Sequence, residues 1–326
     1  MNIGLYTGTI GVLLPRLLEY KLVKSEDRQK DISFLLDVVY EGFGNVNTLG
    51  FKNGITGIGW GLEWCAQHQL LRINSDDILA DIDDLLYRDT VYGSFNEHSL
   101  FELVWRANYF YRRGISKNKH QNRYRHLCHR ECLFLVLEDI ERKRIMEGHG
   151  MFADDIEELR FLSLYFLLLS RVFMLKDQAI ETAYYDMAQH IQEKLVLHLL
   201  EKQDSHEPTL LYALATLAEI FVIASRNTRH YYWACQGEEF SQALKDKIGL
   251  LDTDKHDRLS ELIIKALHYI NVQNEETKES LQEALVGIPY DSLSDTFYKG
   301  KGIVDTVRVI IRLPKYTTDI VDLLLL

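Results

Sequence analysis

A length of 326 residues with 47% hydrophobic content and only 4 Pro and 4 Cys excludes a disordered chain and a cysteine-stapled scaffold, because such a chain fills one large core or two smaller ones without cross-links. Sparse proline beside abundant Leu, Glu, Asp, Arg and Lys predicts helices rather than a β-sandwich. Lys and Arg number 37 against 48 Asp and Glu, and the net charge of -11 argues against a broad nucleic-acid footprint.

Apolar periodicity and turn residues predict helices near residues 8–24, 27–42, 54–71, 76–88, 97–113, 119–144, 151–174, 177–202, 208–225, 232–247, 256–271, 275–286, 301–312 and 316–325. Breaks at Gly8, Gly54, Asn96-Glu97, Gly150, Pro208, His256-Asp257 and Gly300 group them into seven helical hairpins. Pro15 falls inside the first pattern, where it ends an initial turn or kinks the helix. The segment from Met1 to Gly8 lacks the basic and apolar runs of an export signal, and Arg160 and Arg171 interrupt the apolar stretch from Leu159 to Leu175. An interior helix, no transmembrane segment and a cytoplasmic location with reduced thiols are therefore expected.

Three segments look like weak repeats: GLYTGTIGV from Gly4, FKNGITGIGWGL from Phe51 and FYKGKGIVD from Phe297. In each, small residues let a loop turn tightly before a helix whose apolar positions pack inward. The glycine spacing is too common to mark a nucleotide fingerprint and no strand precedes it, so a Rossmann assignment is rejected. Hairpins in series close into a double ring or continue as a bent solenoid, and the short helices favour closure.

Candidate chemistry is weighed against packing at each place. The run HLCHREC sets His126, Cys128, His129 and Cys132 at helical spacing, with ligand types suited to zinc, but no second ligand pair accompanies it, and packing is the stronger reading. Cys65 and Cys235 read as core thiols, and His149 as a turn or capping residue rather than a proton donor. Asp81, Asp83, Asp84, Asp154, Asp155, Glu238 and Glu239 offer carboxylate pairs, yet adjacency on one helix does not give the opposed geometry of a glycoside hydrolase. Asp154 and Asp155 fit a helix start. Tyr109 to Tyr111, Tyr184 to Tyr185 and Tyr231 to Trp233 suit a sugar or peptide groove or simple helix packing, and Arg112, Arg113, Lys117 and Lys119 suit an anion-binding turn or, more simply, a solvated face. No catalytic residue, metal ligand or cofactor-binding residue is assigned.

With GLYTGTIGVLL at its start, NGITGIGWGLEW after it and KGKGIVDTV near its end, the chain resembles the lanthionine synthetase C-like family as a divergent member. The resemblance implies an all-α fold, a seven-fold α/α toroid of two concentric helical layers, formed by residues 1–326 as one domain. Enzymes of that family add peptide cysteine thiols to dehydroamino acids on a zinc held by two cysteines and one histidine, the latter Cys and His adjacent in a C-terminal repeat. This chain departs there: Cys128-His129 comes too early, FYKGKGIVD carries neither ligand type, and Cys235 matches the earlier cysteine only by rough position. The resemblance thus implies a catalytically inactive relative that recognises a peptide or assists peptide maturation, without cofactor. A zinc-dependent peptide thioether cyclase and a carbohydrate-active α/α toroid are the alternatives.

Overall fold

A computed structural model describes residues 2–118, 122–147, 152–200, 207–251, 257–294, 300–312 and 317–325. Every regular element among them is helical, as composition predicts. The chain divides into two compact units, Met1–Glu147 with Ser292–Val309 and Leu326, and Gly148–Asp291 with Ile310–Leu325.

The first unit carries α1 (Thr9–Leu22), α2 (Glu26–Phe43), α3 (Ile55–Gln67), the single turn α4 (Ser75–Ile78), α5 (Ala80–Tyr92), α6 (Leu100–Ile115) and α7 (Arg123–Glu147). The second carries α8 (Asp155–Val172), α9 (Gln178–Leu200), α10 (Pro208–Asn227), α11 (Tyr231–Gly249), α12 (Arg258–Val272) and α13 (Glu275–Val286). After them come α14 (Lys301–Arg312), most of it in the first unit, and α15 (Thr317–Leu324) in the second.

Both units use one packing scheme. In the first, α1 packs on α2, α3 on α5 and α6 on α7, while α3 also touches α1 and α6. In the second, α8 packs on α9, α10 on α11 and α12 on α13, while α10 also touches α8 and α12. The leading helix of each hairpin is therefore covered on several sides, while among the return helices α7 also meets α5 and α9 also meets α10 and α11. The sequence answers to this: α3 is buried without interruption from Ile55 to Cys65 and α10 from Leu217 to Ser225, whereas α2 buries only Ile32, Val38 and Val39, and α13 only Leu281. By length and composition α10 is apolar enough to cross a membrane, and 72% of its most apolar window is buried against its neighbours.

Side-chain caps set many helix starts. Ser25 accepts from the Arg28 amide, Asp154 from Glu157 and Asn274 from Thr277, and Ser99 with Glu102 forms a reciprocal capping box. Asp154 thus takes the helix-start role its sequence context predicts. Two expectations change. Pro15 does not end a turn, because α1 continues through it to Leu22. The predicted 76–88 helix is two helices: α4, capped by Asn74, ends at Ile78, and after Leu79 the chain restarts at Ala80.

Among the described residues four that are not glycine have left-handed backbone: Gln69 (φ 55), Lys176 (φ 55), Arg229 (φ 63) and Gln273 (φ 50). Each lies just past the end of a leading helix, after α3, after the short turn that follows α8, after α10 and after α12. There its amide donates back to Ala66, Phe173, Arg226 or Tyr269, satisfying one of the carbonyls that a helix end leaves over.

Candidate functional site

Gly8, Gly54 and Gly300 stand immediately before α1, α3 and α14. In all three turns the first helical amide donates to the carbonyl seven residues earlier: Thr9 to Asn2 at 3.2 Å, Ile55 to Thr48 at 2.9 Å and Lys301 to Ser294 at 3.0 Å. The three weak sequence repeats therefore share one backbone closure, although residues 295–299 of the third lie outside the described residues. Glycine is required by close approach. A Cβ on Gly8 would overlap the Gly4 amide nitrogen, one on Gly54 the Gly50 carbonyl oxygen, and one on Gly57 the Phe51 carbonyl oxygen.

The first two turns are also bound to each other. The Tyr6 amide donates to Lys52 O at 2.8 Å, and Thr7 reaches Asn53 Oδ1 with its amide at 3.2 Å and its hydroxyl at 3.0 Å. Phe51 then stacks on Trp105 with ring centroids 4.0 Å apart, Trp60 meets Phe51 edge-on, and the Arg112 guanidinium covers Trp60. Exposed Thr7, Lys52 and Asn53 lie at the surface beside this buried aromatic cluster, with Lys52 Nζ 5.5 Å from the Tyr6 ring centroid. An exposed side-chain amide beside an exposed cation is chemistry that suits peptide backbone carbonyls.

The HLCHREC run lies on α7 and its members take separate partners. His126 Nδ1 is 3.3 Å from Gly114 O, His129 Nε2 is 3.4 Å from Asp83 Oδ2, Cys132 is buried and Cys128 is exposed. Burial, reinforced by neighbouring Cys128, pushes the Cys132 thiol up to about 12. Cys65 is a core thiol, and burial pushes its titration far above the ordinary range. Cys235 is not: it is exposed, because α11 buries the stripe Ala234, Gly237, Ser241, Leu244 and Ile248 and Cys235 falls off it. Among the described residues no three His, Cys, Asp or Glu side chains are grouped to hold a metal ion. The donor set there does not fit the two-cysteine, one-histidine zinc centre that the resemblance implies.

Arg113 is the largest departure from expectation. Rather than a solvated or anion-binding turn, it is a fully buried core residue. Its Nη1 donates to Glu63 Oε2 at 2.8 Å, and its Nη2 to Asp83 Oδ2 at 2.7 Å and Asp76 Oδ1 at 3.1 Å. Tyr109, one turn earlier on α6, donates its hydroxyl to Asp83 Oδ1 at 2.7 Å. Burial by itself raises the Asp83 carboxyl, but the hydrogen bonds and charges of His129 and Arg113 outweigh it and hold the group at about 2. Asp81 and Asp84 are exposed, Asp155 sits in the first turn of α8, Glu238 pairs with Arg226, and Glu239 is exposed. His149 and Lys119 lie outside the described residues.

The second unit has its own buried carboxylate, Glu219 on α10, which no sequence motif marks. It receives Ser241 Oγ at 2.6 Å and Asn271 Nδ2 at 2.6 Å, with Lys245 Nζ at 2.7 Å and His268 Nδ1 at 3.0 Å. Burial again opposes ionisation, and His268 and Lys245 overcome it, holding Glu219 at about 2. One residue thereby ties α10 to α11 and α12. The signal was only a Glu in an otherwise apolar helix.

Two aromatic clusters far apart in sequence meet in this unit. The Trp233 ring lies 6.0 Å from Tyr184 and 5.8 Å from Tyr185, and His230 stacks on Trp233 while its Nε2 meets the Tyr185 hydroxyl at 3.1 Å. Burial lowers the titration of His230. Tyr109 and Phe110, by contrast, are core residues of α6. Comparison with protein-family models finds no match for the chain, and comparison with curated proteins finds none either.

Proposed function

We propose that the chain is a divergent lanthionine synthetase C-like protein, a seven-fold α/α toroid, that recognises a peptide or assists its maturation without a metal-dependent step of its own. The observation that carries the reading is the seven-residue closure recurring at Asn2/Thr9, Thr48/Ile55 and Ser294/Lys301. It falls on the three segments in which the resemblance resides, and the pairing of buried leading helices with half-exposed return helices supports the same architecture. Exposed Asn53 and Lys52 offer a peptide main chain a side-chain amide and a cation, held in place by the Thr7–Asn53 hydrogen bonds over a buried aromatic cluster. No step is routed through zinc, because His126, His129, Cys128 and Cys132 are committed to different surroundings.

The reading is tested by titrating the protein into a fluorescein-labelled peptide that contains cysteine and dehydroalanine and following anisotropy. Saturable binding that weakens in Asn53→Ala and Lys52→Ala, with unchanged helicity by circular dichroism, is the expected result. Absence of binding, or binding indifferent to both substitutions, removes the peptide reading.

A further inference from the structure

Two of the left-handed corners in the second unit converge on the aromatic cluster. Phe173, in the turn after α8, lies 5.7 Å from His230 and 6.1 Å from Tyr185 by ring centroid, both edge-on. Around this core large side chains stay in solvent: Met174 is 66% exposed, Tyr185 42%, Tyr231 67% and Tyr232 72%. Tyrosine, tryptophan, methionine and arginine are the residues enriched where binding energy concentrates, since their rings supply contact area at little entropic cost.

The charges at this end decide what fits. Lys176 and Arg229 are exposed on their corners, and neither has an ion-pair partner among the described residues. Two neighbouring carboxylates are already engaged: Asp177 accepts from the Ala179 and Ile180 amides at the start of α9, and Glu238 pairs with Arg226. Glu181 and Asp186, also on α9, keep the corner from being uniformly basic. A polyphosphate backbone would be repelled by those two carboxylates and by the net charge of -11, so a nucleic acid fits poorly. A peptide does not meet that conflict, because a single acidic side chain can reach Arg229 or Lys176 while an adjacent apolar side chain lies on the tyrosines.

We propose that the corner formed by Tyr185, Tyr231 and Tyr232 between Lys176 and Arg229 docks a peptide segment in which an aromatic or aliphatic anchor stands beside an acidic residue. This surface is distinct from the glycine turns and stands whether or not they bind peptide. The probe is a short fluorescein-labelled peptide with one Phe-Glu pair among neutral residues, with a Phe-Lys counterpart and a single-stranded oligonucleotide as comparisons. Saturable binding of the Phe-Glu peptide is expected, weakened about tenfold or more in Tyr231→Ala/Tyr232→Ala and in Lys176→Glu/Arg229→Glu. It is expected to persist in Asn53→Ala, which separates it from the reading above. Arg229→Gly, which keeps the left-handed corner but removes the cation, guards against a variant that fails to fold and is expected to weaken binding at an unchanged melting temperature or a higher one. No binding of the Phe-Glu peptide, equal binding of the Phe-Lys peptide, preference for the oligonucleotide, or indifference to all three variants overturns the proposal.

Discussion

Arg113 shows what a buried charge does when its surroundings are built for it. It pairs with carboxylates from α3, α4 and α5, so its removal leaves Glu63 and Asp76 in the core without their ion-pair partner, while Asp83 keeps Tyr109, His129 and Arg125. Arg113→Ala is expected to lose about 3–5 kcal/mol in urea denaturation, and a loss below about 1 kcal/mol would contradict this account. Glycine positions give a paired test of close approach. Gly57→Ala drives a methyl into the Phe51 carbonyl and is expected to lose about 1–3 kcal/mol, whereas Gly114, near the end of α6 with nothing near its Cβ position, is expected to gain up to about 1 kcal/mol as Ala. The same denaturation curves check both signs. None of the partners of Arg113 is legible in the sequence, because Glu63 is brought to it across fifty residues by the pairing of α3 with α6.

At the level of elements, local chemistry was readable and long-range commitment was not. Glycines at helix starts, Asp154 as a cap and the alternation of apolar and half-polar helices follow from turn and capping rules that act within a few residues. The division of α4 from α5 falls at Leu79, which has no capping side chain to mark it, and the exposure of Cys235 depends on which stripe of α11 meets α10. The left-handed corners show a similar limit, since Gln69, Lys176, Arg229 and Gln273 occupy positions where glycine is the usual residue. A side chain there costs about 1–2 kcal/mol, partly offset by the greater freedom of unfolded glycine, so Gln69→Gly and Gln273→Gly are each expected to stabilise by about 0.5–1 kcal/mol. A fall in melting temperature for both would show that these side chains earn more than their backbone strain costs.

Across the whole molecule, buried or partly buried carboxylates link stability to pH. Asp83 in the first unit and, in the second, Glu219 and the α8 residue Glu158, which His190 and Lys194 of α9 hold ionised, are each held at about 2, whereas unfolded carboxylates titrate near roughly 4. Between those values the unfolded chain binds more protons, so the stabilisation is complete above the unfolded range and drains as pH falls through roughly 4 toward 2. The urea midpoint is expected to fall steadily below roughly pH 5, less steeply in Glu219→Gln, and a midpoint flat down to pH 3 would contradict the assignment. The proposed function is a separate whole-chain claim, that a cyclase-like repeat architecture serves peptide recognition without thiol addition. That addition forms a carbon–sulfur bond, moves the thiol proton to the substrate carbon and leaves the mass unchanged, so the free thiol is the quantity to follow. The most direct measurement is mass spectrometry after alkylation of a cysteine- and dehydroalanine-containing peptide incubated with the protein and zinc. The account predicts that the peptide stays fully alkylatable while it binds, and protein-dependent loss of the thiol would contradict it.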